Sequence, residues 1–315
     1  MLISNPSDVT TAVLAEAART PNPRTREILI AGITHLHGFV RDARLTENEF
    51  RELCRVVARL GQRTNESHNE VMLAAGSLGV SALVCLLDNG GGRAETTANL
   101  MGPFWREGSP RLDNGASIVR SATPGVPVFV DAWVHDSEGR PLVDARVDVW
   151  HASPEGYYEN QDPTQGDMNL RGTFNTDAAG HIAFRTVKPA GYPVPVDGPV
   201  GDLLRAQGRH NMRPAHLHFM IHKAGYKTQF SQVYSSDDPN LETDSQFGVT
   251  RALIAHYVPH DTADEAAPAA DVTGPWYSLE RRFVVQRGDA ALPTPPITGK
   301  AAGSRAQIDR LVRRG

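Results

Sequence analysis

Two hydrophobic periods divide this chain. Up to about residue 105 apolar positions recur every three or four residues, and beyond it they tend to alternate. Residues 26–40 carry Ile28, Leu29, Ile33, Leu36, Phe39 and Val40 at helical spacing. Thr46-x-x-Glu49 has the form of a capping box, in which hydroxyl and carboxylate each accept the other residue's backbone N–H. Phe50, Leu53, Cys54, Val57 and Leu60 follow it on one face. Ser67-x-x-Glu70 predicts a second capped start, opening a segment that runs through Leu73, Leu78, Val80 and Val84 to Leu87. The glycines of the 88–93 stretch, DNGGGR, then stop the helix.

After residue 105 the pattern turns to strands. Val128 to Val134 reads as one and ends in the turn Asp136-Ser137-Glu138-Gly139; Arg146 to Trp150 alternates with period two. Thr173 to Thr176, the turn Asp177-Ala178-Ala179-Gly180 and His181 to Val187 predict a hairpin. Further strands are expected at 215–222, 227–234 and 281–286. The expected class is α+β: an antiparallel or mixed β-sandwich at 106–292 behind an N-terminal helical portion at 1–105. The tail, 293–315, is rich in Pro and Gly and ends in a polar, basic stretch, Arg305 to Arg314, read as a short helix or as disorder.

Composition narrows the function. With 315 residues, 40% hydrophobic and 22% charged, the chain reads as an ordinary globular enzyme. A formal net charge of -4, with Lys and Arg scattered, gives no case for nucleic acid or an anionic membrane. No apolar run approaches membrane-spanning length and no signal sequence opens the chain, so a cytoplasmic protein is expected. Cys54 and Cys85 lie in apolar helical patterns and are expected to be buried free thiols.

The chemistry centres on Arg213-Pro214-Ala215-His216-Leu217-His218-Phe219. On a strand, side chains two apart share a face, so His216 and His218 converge while Leu217 enters the opposite layer. Two such imidazoles suit iron, zinc, copper or nickel; two exposed strand histidines would give the same pattern. Tyr192 sits in the Pro-bounded Gly191-Tyr192-Pro193-Val194-Pro195, and Tyr157 and Tyr158 follow Trp150 closely. A phenol ionises at about pH 10, so phenolate at neutral pH needs a strong Lewis acid. Two phenolates and two neutral imidazoles would leave ferric iron one unit of positive charge. Spacing alone does not select this set.

These segments resemble the intradiol ring-cleavage dioxygenases, and within them the hydroxyquinol and catechol 1,2-dioxygenases. The likeness runs through the helical N-terminal portion, Leu100-Met101-Gly102-Pro103-Phe104-Trp105, DVWHASPEGYY (148–158), GYPVPVDGP (191–199) and GRHNMRPAHLHF (208–219). It implies a mixed β-sandwich with a helical dimerisation portion, hence a homodimer, and one non-haem Fe(III) per chain on Tyr158, Tyr192, His216 and His218. Tyr158 is preferred to Tyr157 because the family's ligand stands eight residues after the matching tryptophan. The resemblance further implies that the substrates are an aromatic diol and O2. Tyr192 would act as a displaceable ligand and proton acceptor, Arg213 would stabilise charge on the ring, and Gln232 would lie near the iron.

GYPVPVDGPVG and TDSQFGV look more like the hydroxyquinol branch, while Gly76 and Gln246 depart from both branches. The likeness implies a hydroxyquinol-type substrate. A glycine opens space and a glutamine adds a hydrogen-bonding group, so a substituted hydroxyquinol or another polar diol fits these positions, unless the two changes compensate each other and leave specificity unaltered. The expected pocket comprises Leu73, Gly76, Met101, Gly102, Pro103, Phe104, Val194, Pro195, Arg213 and Gln246. A catechol or chlorocatechol 1,2-dioxygenase is the alternative in the same class. From another class comes a β-sandwich binding module whose His-x-His holds structural zinc.

Overall fold

Helix caps set the N-terminal architecture. The computed structural model describes residues 2–90, 96–261, 263, 265–303, 305 and 308–312, which divide into two compact units, Met1–Ala58 and Arg59–Gly315. In the first, Asn5 caps α1 (Pro6–Ala17) and Asn22 caps α2 (Pro23–Ala43). The two helices meet, with Thr10 Oγ1 2.9 Å from His37 Nδ1. The box at Thr46 opens α3 (Glu47–Arg63): Thr46 N–H donates to Glu49 Oε2 at 2.8 Å and Glu49 N–H to Thr46 Oγ1 at 3.3 Å. The apolar stripes predicted here exist but lie uncovered, with Leu36, Phe39, Phe50 and Val57 all exposed. Cys54 is accordingly exposed and Cys85 half-buried, which corrects the expectation of two buried thiols; both are free.

The second predicted box is not formed. Asn69, not Ser67, caps α4 (Glu70–Ser77), accepting Met72 N–H at 2.9 Å. Glu70 instead accepts Val200 N–H at 3.0 Å and meets His68 Nε2 at 2.6 Å. The helix also breaks at Gly79, whose φ of +73° is left-handed, so α5 (Val80–Gly90) leaves α4 at 75°. The remainder of the glycine run, 91–93, lies outside the described residues. Among the described residues no single helix is long and apolar enough to cross a membrane.

Two sheets face each other. One has the order β10 (Val258–His260), β11 (Trp276–Val285), β1 (Pro127–Asp136), β4 (His181–Val187). The other has β3 (Arg171–Asn175), β2 (Arg146–Trp150), β7 (His216–His222), β8 (Gln229–Ser235), β9 (Ile254–Ala255). The β1–β11 and β8–β9 pairs are parallel and the rest antiparallel, so the sandwich is mixed. Val128, Val130, Phe184, Val147, Leu217 and Phe219 are among the side chains filling the space between the sheets. The predicted hairpin at 173–187 is a correction. The turn is present, but β3 pairs with β2 and β4 with β1, so it carries the chain from one sheet to the other. A short ribbon, β5 (Tyr192–Pro193) with β6 (Met212–Arg213), and α6 (Pro199–Ala206) lie outside the sandwich. The described part of the tail forms neither helix nor strand. Its Arg305 pairs with Glu155 and Asp162, and Leu311 N–H donates to Asn211 at 2.9 Å.

Candidate active site

Strand β7 has two faces. Leu217, Phe219 and Ile221 enter the core between the sheets, while His216, His218 and Met220 project from the opposite face, as a two-residue period requires. Antiparallel register sets His218 against Trp150 on β2, whose indole stacks on the imidazole at 4.6 Å and 8°. The β5–β6 ribbon sets Tyr192 opposite Arg213. Tyr158 arrives from the loop after β2 and is fully buried, with Phe104 stacked on its ring at 4.4 Å. Tyr157 is only half-buried and lies under the Arg305 guanidinium, so the two adjacent tyrosines have different surroundings.

The four side chains meet at their polar tips. Tyr158 Oη is 3.0 Å from His218 Nε2 and 3.3 Å from both His216 Nε2 and Tyr192 Oη, and the two Nε2 atoms are 3.0 Å apart. Gly102, at φ +73°, lets the backbone close on this cluster: a Cβ there would be 3.3 Å from His218 Cε1. His216 Nδ1 lies 2.7 Å from the Pro214 carbonyl, which can only accept, so that nitrogen carries the proton and Nε2 presents a lone pair. Burial, reinforced by the Arg213 charge, pushes the His216 pKa down to about 3. Burial and then the neighbouring His216 hold His218 well below the usual range. Both imidazoles are therefore neutral donors. Burial pushes the phenols of Tyr158 and Tyr192 up, so their ionisation calls for a cation.

This set fits one transition-metal ion. Two donors each about 2.1 Å from an ion and at right angles to each other lie about 3 Å apart, close to the separations here. Among the described residues His218 Nδ1 has no partner, so the polar contacts of that ring are made by Nε2 toward the cluster. No group of three or more His, Cys, Asp or Glu among the described residues could hold a metal, so anionic ligation at this cluster would fall to phenolates. Ferric iron, which favours anionic oxygen, suits that donor set.

Arg213 stands beside the cluster, 2% exposed, with one Nη atom 3.4 Å from His216 Nε2. Asp244 grips it through Nε at 3.0 Å and Nη2 at 3.1 Å; Nη2 also donates to Gln232 Oε1 at 2.8 Å and Tyr234 Oη at 3.0 Å. Burial opposes the guanidinium charge, but Asp244 and the neighbouring phenols more than offset it, and its pKa lies well above the ordinary value.

Known proteins resemble the chain over most of its length. A family model described as dioxygenase matches residues 100–274, and one described as catechol dioxygenase N terminus matches residues 22–96. The chain belongs to the intradiol ring-cleavage dioxygenases. It is 36% identical to hydroxyquinol 1,2-dioxygenase of Rhizobium sp. (strain MTP-10005) over 87% of this chain and 93% of that protein. To 6-chlorohydroxyquinol 1,2-dioxygenase of Cupriavidus pinatubonensis it is 38% identical, over 80% of this chain and 91% of that one. A solved hydroxyquinol 1,2-dioxygenase from Pseudomonas putida DLL-E4 matches with a TM-score of 0.77 and 38% identity, covering 90% of this chain and 99% of that one.

In this dioxygenase a cleft of about 360 Å³ opens beside the cluster, lined by Gly76, Leu100, Met101, Gly102, Pro103, Phe230 and Gln246 among others. Leu73, Phe104 and Val194 are buried in the apolar cluster around Tyr158 and Tyr192. Pro195 is not brought to the cleft. It lines a separate cavity of about 180 Å³ with His68, Asn160 and Asp197. Gly76 does not open space either, because the Gln246 carboxamide fills it: a Cβ at 76 would be 2.9 Å from Gln246 Cδ. Gln232 lies behind Arg213, donating to the Leu100 carbonyl at 2.8 Å. Sequence reasoning missed Tyr234, Asp244 and the stacking role of Trp150. Tyr234 was within reach, since it lies two residues from Gln232 on one strand, opposite His216.

Proposed function

We propose that this enzyme cleaves a hydroxyquinol-type diol between its two adjacent hydroxyl-bearing carbons with O2, giving a hydroxy-cis,cis-muconate and hence maleylacetate. The reaction would use one ferric ion per chain, held by Tyr158, Tyr192, His216 and His218. The convergence of two phenols and two neutral imidazoles within 3.0–3.3 Å carries this reading. When bound, ferric iron supplies a Lewis acid for both diol oxygens and an electron acceptor for the ring. Tyr192 Oη takes one diol proton, acting as base. Arg213 supplies fixed positive charge where the ring becomes anionic, and Asp244, Gln232 and Tyr234 keep it aimed. Met101, Gly102 and Pro103 wall one side of the cleft.

The named hydroxyquinol relatives support the triol over catechol. The test is oxygen uptake by purified, iron-loaded protein on a panel of diols. Red protein with about one iron per chain and faster ring cleavage of hydroxyquinol than of catechol is expected. A colourless, zinc-filled and inactive preparation would end the iron reading, and preference for catechol would move the enzyme to the catechol branch.

We further assign dimerisation to residues 1–105, catalysis to 106–292 and a tail to 293–315, in a cytoplasmic enzyme. The uncovered apolar side chains of α2, α3 and α5 support a homodimer. Light scattering that finds a monomer at micromolar concentration contradicts it.

A further inference from the structure

One polar side chain in the cleft has no part in the chemistry above. Gln246 is 3% exposed yet lines the cleft. Its Nε2 donates to Ser77 Oγ at 2.7 Å and reaches the Ser245 carbonyl at 3.4 Å. A carbonyl can only accept, so the nitrogen faces that way and Oε1 faces α4 and the cleft. Among the described residues none donates a hydrogen bond to Oε1. Gly76 is what admits the carboxamide, since any side chain there would collide with it.

The turn holding Gln246 is tied to the guanidinium at the donor cluster. Asp244 Oδ1 accepts Gln246 N–H at 3.1 Å and Oδ2 accepts Gly248 N–H at 2.9 Å, while the same carboxylate grips Arg213. One buried group thus fixes both the charge beside the cluster and a bare acceptor in the cleft.

We infer that Gln246 Oε1, supported by Ser77 and by the absence of a side chain at Gly76, selects substrates that carry a hydroxyl beyond the two of the cleaved diol. This rests on the ring-cleavage reading above. A third hydroxyl donates to Oε1. A ring hydrogen or a methoxy group there leaves a desolvated carbonyl without a partner, and sites built to bond a hydroxyl reject analogues on that ground.

The test compares kcat/KM, normalised to iron content, for hydroxyquinol, catechol and 4-methoxycatechol. The proteins are the wild type, Gln246→Met and Gly76→Ala, which displaces the carboxamide without deleting it. Anaerobic calorimetric titration of the same diols reads the preference in binding. The hydroxyquinol-to-catechol ratio should fall roughly tenfold in both variants, and 4-methoxycatechol should gain on hydroxyquinol in Gln246→Met. A ratio unchanged within about twofold, in protein that cleaves hydroxyquinol, overturns the role of Gln246 and leaves the proposed reaction standing. Should Gln246→Met fail to fold, Gly76→Ala and the wild-type preference for hydroxyquinol over 4-methoxycatechol still decide. Wild-type protein that cleaves catechol but no triol overturns both readings.

Discussion

Replacing Arg213 by Met and Asp244 by Asn, singly and together, separates scaffold from chemistry. Both side chains are 2% exposed and meet through two bonds of 3.0 and 3.1 Å. Among the described residues, Arg213→Met leaves the buried carboxylate only the N–H groups of Gln246 and Gly248. Asp244→Asn leaves a buried guanidinium without its counter-charge, on Gln232, Tyr234 and a neutral amide oxygen. Stranding one member of a buried pair costs about 3–5 kcal/mol, a large part of a total stability of about 5–15 kcal/mol. The double variant buries neither charge, so the two costs should overlap by about 2–3 kcal/mol in urea denaturation.

Turnover should behave differently. If Arg213 stabilises charge that develops on the ring, its loss lowers kcat on the order of a hundred- to a thousand-fold, and restoring stability does not restore kcat. Arg213→Met and the double variant should then be equally slow while retaining iron. Stopped-flow ring cleavage alongside metal analysis reads both quantities. A double variant that regains turnover together with stability would refute the argument and make Arg213 a structural residue.

Acid unfolding offers a second reading of the same pair. Burial raises the Asp244 pKa, but the Arg213 charge more than offsets it and the net shift is downward. Its contribution is therefore whole above the ordinary aspartate value of about 3.9 and is lost as pH falls through the depressed folded value. Wild type should lose stability more steeply below about pH 4 than the double variant, and parallel acid limbs would contradict this. Trp150→Ala removes the ring stacked on His218 and should cost about 3–5 kcal/mol and roughly ten- to a hundredfold in iron affinity; unchanged affinity in a metal titration would count against that support. Gly79→Ala forces a side chain into the left-handed backbone between α4 and α5 and should destabilise by about 1–2 kcal/mol, so an unmoved urea midpoint would be the adverse result.

Where the sequence misled, local rules were satisfied by more than one arrangement. Thr46 and Ser67 head the same four-residue pattern. Only Thr46 caps, because Asn69 supplies a competing cap near the second start and Glu70 is drawn to Val200, 130 residues away. The turn at 177–180 was legible from its residues, but nothing local says which sheet each flanking strand joins. That is decided by β1 and β2, whose positions depend in turn on β11 and β7. Cys54 shows the same gap, since a helical stripe predicts an apolar face without saying whether one chain covers it.

The donor cluster was more legible because strand geometry is stricter. A two-residue period places His216 and His218 together and, applied to β8, would have placed Tyr234 with Gln232 against them. Asp244 reaches Arg213 from a turn after a short 3-10 segment, where no period governs direction, and so left no signal. Gly76 and Gln246 show the limit most sharply. Read singly, the glycine means open space and the glutamine an added polar group. The structure makes them one feature, the absent side chain at 76 being the room that the carboxamide occupies. A pocket position 170 residues away thus changed what a glycine meant, and contact in space rather than spacing along the chain carried that information.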